Sequence, residues 1–170
     1  MNFNNFTIKS QEAIQKAVEL TRGAGTQAIE PVVLLKAVLT EGDSLVKYLF
    51  AKVGANPAAV ATQIDREIEK LPKVSGGEPY LSRTSNDVLQ KALDIAKKMG
   101  DEYVTLEAML LALFEINSPA STILKDAGLS SRELESAIAE LRKGKKATDQ
   151  SAEDTYNALS KYAINLCERA

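Results

Sequence analysis

The sequence predicts an all-α fold: two pseudo-symmetric repeats of four short helices packed as one domain, followed by a C-terminal linker and one more helix. Three observations carry this expectation. Apolar residues recur at helical spacing along most of the chain, Gly and Pro fall between those runs, and the chain matches itself at an offset of 75 residues. That offset places Gln15-Lys16-Ala17 on Gln90-Lys91-Ala92, Thr7 on Ser82 and Ile29 on Val104. It also places Leu34-Leu35-Lys36-Ala37-Val38 on Met109-Leu110-Leu111-Ala112-Leu113. After one deletion, Gly54 falls on Gly128, Val60 on Leu134 and Ile64 on Ile138.

The elements follow in order. The first run, Ala13, Ile14, Ala17 and Val18, ends at Gly23. A second, Leu34, Leu35, Val38 and Leu39, starts from Pro31, where a first-turn proline loses no helical hydrogen bond, and ends near Gly42. A third, Leu45, Leu49 and Val53, stops at Gly54, and Asn56-Pro57 opens a fourth through Val60, Ile64 and Ile68. The second copy repeats this grammar. Ser118-Pro119 opens its third helix, Gly128 closes it, and Ser130 with Glu133 has the spacing of a capping box for the fourth.

These limits give repeat one as 6–72, repeat two as 81–143 and a domain over 1–145. Lys73 to Pro79 reads as a short flexible connector. Each repeat alone has a marginal core, so the two are expected to pack together. The basic run Arg142-Lys143-Gly144-Lys145-Lys146 suits a helix end and a solvated linker. Residues 146–170 then read as linker plus the start of a further module, with Leu159, Tyr162, Ala163 and Leu166 on one helical face and Cys167 as a packing residue.

Composition removes several functions. With 170 residues, no His and one Cys, the chain lacks imidazole bases, Cys-based zinc sites and an internal disulfide. A net charge of -2 argues against a nucleic-acid partner. No run approaches the ~18 apolar residues of a membrane span, and the first residues lack the pattern of a secretory signal. A cytoplasmic location is expected. Gly144-Lys145-Lys146-Ala147-Thr148 falls short of a phosphate loop, so this stretch is expected to bind no nucleotide and to catalyse no reaction.

The doubled unit resembles the Clp N-terminal (Clp R) domain. The resemblance rests on Phe6-Thr7 before the first helix, the Ile29-Glu30-Pro31 step, the Gly100-Asp101-Glu102-Tyr103-Val104 loop and Glu107 before Leu110-Leu111-Ala112-Leu113. Residues from Ala152-Glu153-Asp154 to Leu166-Cys167-Glu168-Arg169-Ala170 are similar to the entry into the first ATPase module of Clp-family disaggregases. The resemblance implies the substrate-engaging domain of a hexameric, ATP- and Mg-dependent disaggregase that works with the DnaK system on unfolded or aggregated polypeptides, the fragment itself being monomeric. An adaptor-docking domain of a protease-associated unfoldase is the alternative.

The family's client-handling positions match Thr7, Asp101 and Glu107, and its apolar groove matches Val88 and Leu89 with Ala108 alongside. The residues by themselves leave other roles open: Thr7 as a helix cap, Glu107 as a favourable charge at a helix start, Val88 and Leu89 as core. Where family repeats carry Glu-His, the first copy has Val32-Val33 and the second Glu107-Ala108. The His-dependent zinc site of some relatives is therefore not expected.

Overall fold

The computed structural model describes residues 2–74 and 76–153. The expected helix around Leu159 to Leu166, and Cys167, lie outside the described residues.

The first copy contains α1 (Ile8–Gly23), β1 (Ala28–Ile29), α2 (Pro31–Glu41), α3 (Asp43–Val53) and α4 (Pro57–Glu69). The second contains β2 (Tyr80–Leu81), α5 (Arg83–Lys98), α6 (Leu106–Glu115), α7 (Pro119–Asp126) and α8 (Ser131–Arg142). The repeat is realised in matching elements: Ile8 and Arg83, like Pro31 and Leu106, start equivalent helices 75 residues apart. Caps correspond too. Thr7 Oγ1 accepts from Ser10 N–H at 3.1 Å, and Ser82 Oγ accepts from Ser85 N–H at 3.1 Å. The left-handed turns at Gly25 (φ 73°) and Gly100 (φ 78°) occupy equivalent positions, where a residue with a Cβ would be strained.

One detail of the capping differs from expectation. Ser130 accepts from Glu133 N–H at 3.2 Å, but the reciprocal box forms at the start of α7, between Ser118 and Ser121. There Ser121 Oγ sits 3.0 Å from the Ser118 N–H, close enough for its short side chain to close the ring that a Glu would close at Ser130.

The two short strands show how the copies are joined. β1 pairs in parallel with β2, Ile29 opposite Leu81, and an isolated parallel bridge joins Phe6 to Val104. At the repeat offset, Phe6 corresponds to Leu81 and Ile29 to Val104, so the second pairing is the first with the copies exchanged. The flanking bonds obey the same exchange. Ser10 Oγ donates to Val104 O at 2.8 Å, and Ser85 Oγ donates to Ile29 O at 2.6 Å. Each copy thus completes its backbone bonding with the other.

Helix packing follows the same rule: α1 lies on α2 and α5 on α6, while α3 packs on α8 and α4 on α7 across the copies. The equivalent helices α2 and α6 meet at the centre, and their nearly unbroken apolar sequence reflects burial on all sides. Lys73 to Pro79 is less free than expected. Lys73 Nζ donates to Ala24 O at 2.7 Å, Val74 N–H to Gly25 O at 2.9 Å, and Arg22 pairs with Glu78 at 3.0 Å, which ties the connector to the end of α1.

Candidate functional site

The turn after α5 passes through Gly100 and delivers Asp101 inward, its N–H donating to Ala96 O at 2.9 Å. Thr105 caps α6, accepting from Ala108 N–H at 3.2 Å, and Glu107 occupies the first turn, where the helix dipole favours a negative charge. Arg142, the last residue of α8, turns back between them. Its Nη1 reaches both Asp101 carboxylate oxygens at 2.7 and 2.8 Å. Its Nη2 reaches Glu107 Oε2 at 2.8 Å and Thr105 Oγ1 at 3.0 Å, and its Nε reaches Glu107 Oε2 at 3.1 Å.

These contacts engage all three guanidinium nitrogens, with Nη1 shared between the two Asp101 oxygens. Burial alone would lower the Arg142 pKa, but the Glu107 and Asp101 carboxylates more than offset it and raise the pKa above the ordinary arginine value. The Arg142 side chain is 4% exposed, and those of Asp101 and Glu107 are fully buried. A cation buried between two carboxylates acts as a fastener: it fixes the end of α8 to the turn after α5 and to the start of α6.

The segment after α8 extends the cluster. Ala147 N–H donates to Asp101 Oδ1 at 2.9 Å, and Glu102 N–H donates to Ala147 O at 2.9 Å. Ile8 N–H donates to Gln150 O at 2.8 Å. Glu153 Oε2 accepts from Leu106 N–H at 2.7 Å and lies 2.9 Å from Thr7 Oγ1, joining the first turns of α1 and α6. Residues 147–153 are therefore a docked strap, where sequence reading placed a linker and the start of a further module; Ala147 and Glu153 are buried. Burial, reinforced by the nearby Glu107 charge, pushes the Glu153 carboxyl up to about 8, against the opposing bonds from Thr7 and Leu106. Glu107 Oε1 and Glu153 Oε1 are both buried without a hydrogen-bond partner among the described residues.

Beside this cluster lies a groove of about 500 Å³ between α5, α6 and α8. Its floor is Ile95, Met99, Leu111, Ile138 and Ala139, and its rim carries Lys91, Lys98, Lys145, Lys146, Glu115 and Glu135. A second concavity, of about 490 Å³, occupies part of the corresponding place in the first copy. There Lys36 and Asp65, the counterparts of Leu111 and Ala139, form a 2.8 Å ion pair. The first copy's concavity opens between α2, α3 and α4 and is itself floored by apolar residues, Leu39, Val46, Ala61 and Ile64, with that ion pair in its lining.

The structure separates the expected site residues into two sets. Thr7, Asp101 and Glu107 converge on the fastener and strap, Thr7 through Glu153 and the other two through Arg142. Val88, Leu89 and Ala108 are 0% exposed and belong to the core, so they offer no accessible contact. The physical reason is position along α5 for Val88 and helix phase for Leu89. Val88 shares a stripe with Ile95 and Met99 but lies two to three turns nearer the helix N-terminus, where that stripe is covered, whereas Leu89 points about 100° around the axis.

Sequence reasoning missed Thr105, Arg142 and Glu153. A signal for two of them was present in the repeat: where the first copy has Thr26, Glu30, Val32 and Ile68, the second has Asp101, Thr105, Glu107 and Arg142. An acid and a base replacing two apolar residues together mark a buried pair. Glu153 lies beyond the repeat and carried no such signal. Among the described residues, no group of three His, Cys, Asp or Glu side chains could hold a metal ion.

Comparison with known proteins places this architecture. Residues 5–127 match the family model described as the Clp repeat (R) N-terminal domain. Two curated relatives, each named Chaperone protein ClpB, are 61% identical (Porphyromonas gingivalis) and 59% identical (Bacteroides thetaiotaomicron) over all 170 residues. The chain spans 20% of the length of each of these relatives. The solved N-terminal domain of Hsp104 from Candida albicans superposes with a TM-score of 0.77 at 25% identity, covering 88% of this chain and 99% of that one. The N-terminal domain of the E. coli ClpV1 ATPase shares the fold, with a TM-score of 0.70 at 19% identity over 87% of this chain and 90% of that one.

Proposed function

Because the chain belongs to the Clp repeat N-terminal domain family, we propose that it is the substrate-engaging N-terminal domain of an ATP-dependent protein disaggregase. In this reading it holds apolar segments of unfolded or aggregated polypeptides in the groove between α5, α6 and α8, then passes them to an ATPase ring. One observation carries the reading: the groove between α5, α6 and α8 sets an apolar floor of Ile95, Met99, Leu111, Ile138 and Ala139 beneath a charged rim. A non-native chain offers apolar side chains without a fixed shape, and a shallow apolar groove with a polar rim suits it.

Thr7, Asp101 and Glu107 then serve as positioning residues. They hold the groove's end and the strap that leads onward, and they do not touch the client. The affinity should be modest, since micromolar binding corresponds to about -8 kcal/mol and still permits release. ATP and Mg use, a hexameric ring, cooperation with the DnaK system and a cytoplasmic site of action belong to this proposal through the relatives named ClpB, because this chain spans a fifth of their length. No described helix is long and apolar enough to cross a membrane.

Amide NMR of the chain titrated with an unfolded model protein tests the reading. Shifts should concentrate at Lys91, Ile95, Met99, Ile138 and Ala139. Shifts confined to other surfaces would reject the groove. A response only to one folded protein, at fixed stoichiometry, would instead favour adaptor docking.

A further inference from the structure

The groove is electrostatically polar along its length. Arg142 binds Asp101, just past α5, so the C-terminal ends of α5 and α8 lie together at one end of the groove. Lys98, Lys145 and Lys146 gather there, and Lys146 reaches over Gly100. Two helical turns back, about 10 Å away at 1.5 Å per residue, the rim carries Glu135 on α8 and the Lys91–Glu115 pair, 3.5 Å apart, between α5 and α6. Among the described residues, none of Lys98, Lys145 and Lys146 forms a salt bridge, and the carboxylates that line the groove, Glu115 and Glu135, lie at its other end. The opposite end has Lys91 already neutralised by Glu115, which leaves Glu135 as the excess charge.

We propose that the groove selects its polypeptide by charge direction as well as by hydrophobicity, taking a short apolar stretch with acidic residues at one end, over Lys98 and Lys146, and a basic residue at the other, near Glu135. This rests on the groove being the client site. The length fits: about three extended residues span the ~10 Å between the charged ends. A polypeptide suits the groove better than a nucleic acid, because the floor is aliphatic and carries no aromatic ring for bases to stack on. Partly solvated charges contribute direction more than strength, so the preference should be several-fold and salt-sensitive.

Three fluorescein-labelled peptides test this on the intact 170-residue chain. They share an apolar core and carry neutral flanks, Lys at both ends, or Asp at one end and Lys at the other. By anisotropy at low salt, the mixed-charge peptide should bind about 5- to 10-fold tighter than the neutral one and the doubly basic peptide the weakest, with the spread shrinking at high salt. The double variant K98Q/K146Q should lose the preference while retaining the neutral peptide. Equal affinities, or a preference for the doubly basic peptide, would overturn the charge inference and leave the client reading intact. Failure of all three to bind would overturn the client reading itself. Displacement of the mixed-charge peptide by a single-stranded oligonucleotide at lower concentration than by unlabelled peptide would overturn the choice of polypeptide.

Discussion

At the scale of single residues, Arg142 shows how position changes the meaning of a charge. In the sequence it opens a basic run and reads as a solvated helix end; in the structure all three of its guanidinium nitrogens bond Asp101, Thr105 and Glu107. The net worth of a buried ion cluster is small, because desolvating the ions cancels most of their attraction. Removing one member is a different matter. Arg142→Ala strands two buried carboxylates and should cost about 3–5 kcal/mol in urea unfolding. Arg142→Lys keeps the charge but cannot bond Asp101 and Glu107 in the fork geometry, so it should fall between wild type and Ala. A loss below ~0.5 kcal/mol for Arg142→Ala would mean that the cluster fastens nothing.

At the scale of elements, the strap 147–153 is the part whose behaviour depends on pH. Glu153 has an ordinary carboxyl value of 4.5 and is pushed up to about 8 when docked. Between those values the docked chain holds a proton that the released or unfolded chain does not, so raising the pH through this window weakens docking. The full contribution is present below about pH 4.5 and is lost above about 8. Among the described residues, the strap bonds only the first turns of α1 and α6, the residues before α1 and the 101–103 stretch, so the loss should be local. Hydrogen exchange at Ile8, Glu102 and Leu106, corrected for the intrinsic pH dependence of exchange, should be faster at pH 9 than at pH 6. Glu153→Gln cannot ionise and should abolish that difference; an unchanged difference in the variant would show that Glu153 is not the titrating group.

At the scale of the whole molecule, the two copies form one cooperative unit, because each supplies the strand and the helix contacts that the other lacks. A polypeptide of residues 1–74 alone would expose α2, whose burial depends partly on α6 and α7, and would leave Phe6 and Ile29 without strand partners. It should therefore show collapsed amide dispersion and little helix by circular dichroism, whereas the intact chain should melt in a single transition. An independently folded first copy would contradict this. Much of the fold was legible before any coordinates: helix starts, caps and glycine turns are local choices, and the offset of 75 residues transferred each assignment from one copy to the other. Less of the site was legible. Val88 lies on the same stripe as Ile95 and Met99 but nearer the start of α5, where the stripe is covered, and periodicity does not say where along a helix burial ends. The strap reads as linker because its polar sequence buries two small apolar residues and one carboxyl against partners more than forty residues away. Duplication and helical grammar are written in the chain through local propensity and repetition, and the family through its resemblance at Phe6-Thr7, Ile29-Glu30-Pro31 and the 100–104 loop. Folding in three dimensions fixed where the groove between α5, α6 and α8 opens and which charges meet in the core. Those outcomes depend on desolvation and on distances between residues far apart in the chain, quantities that no local pattern carries.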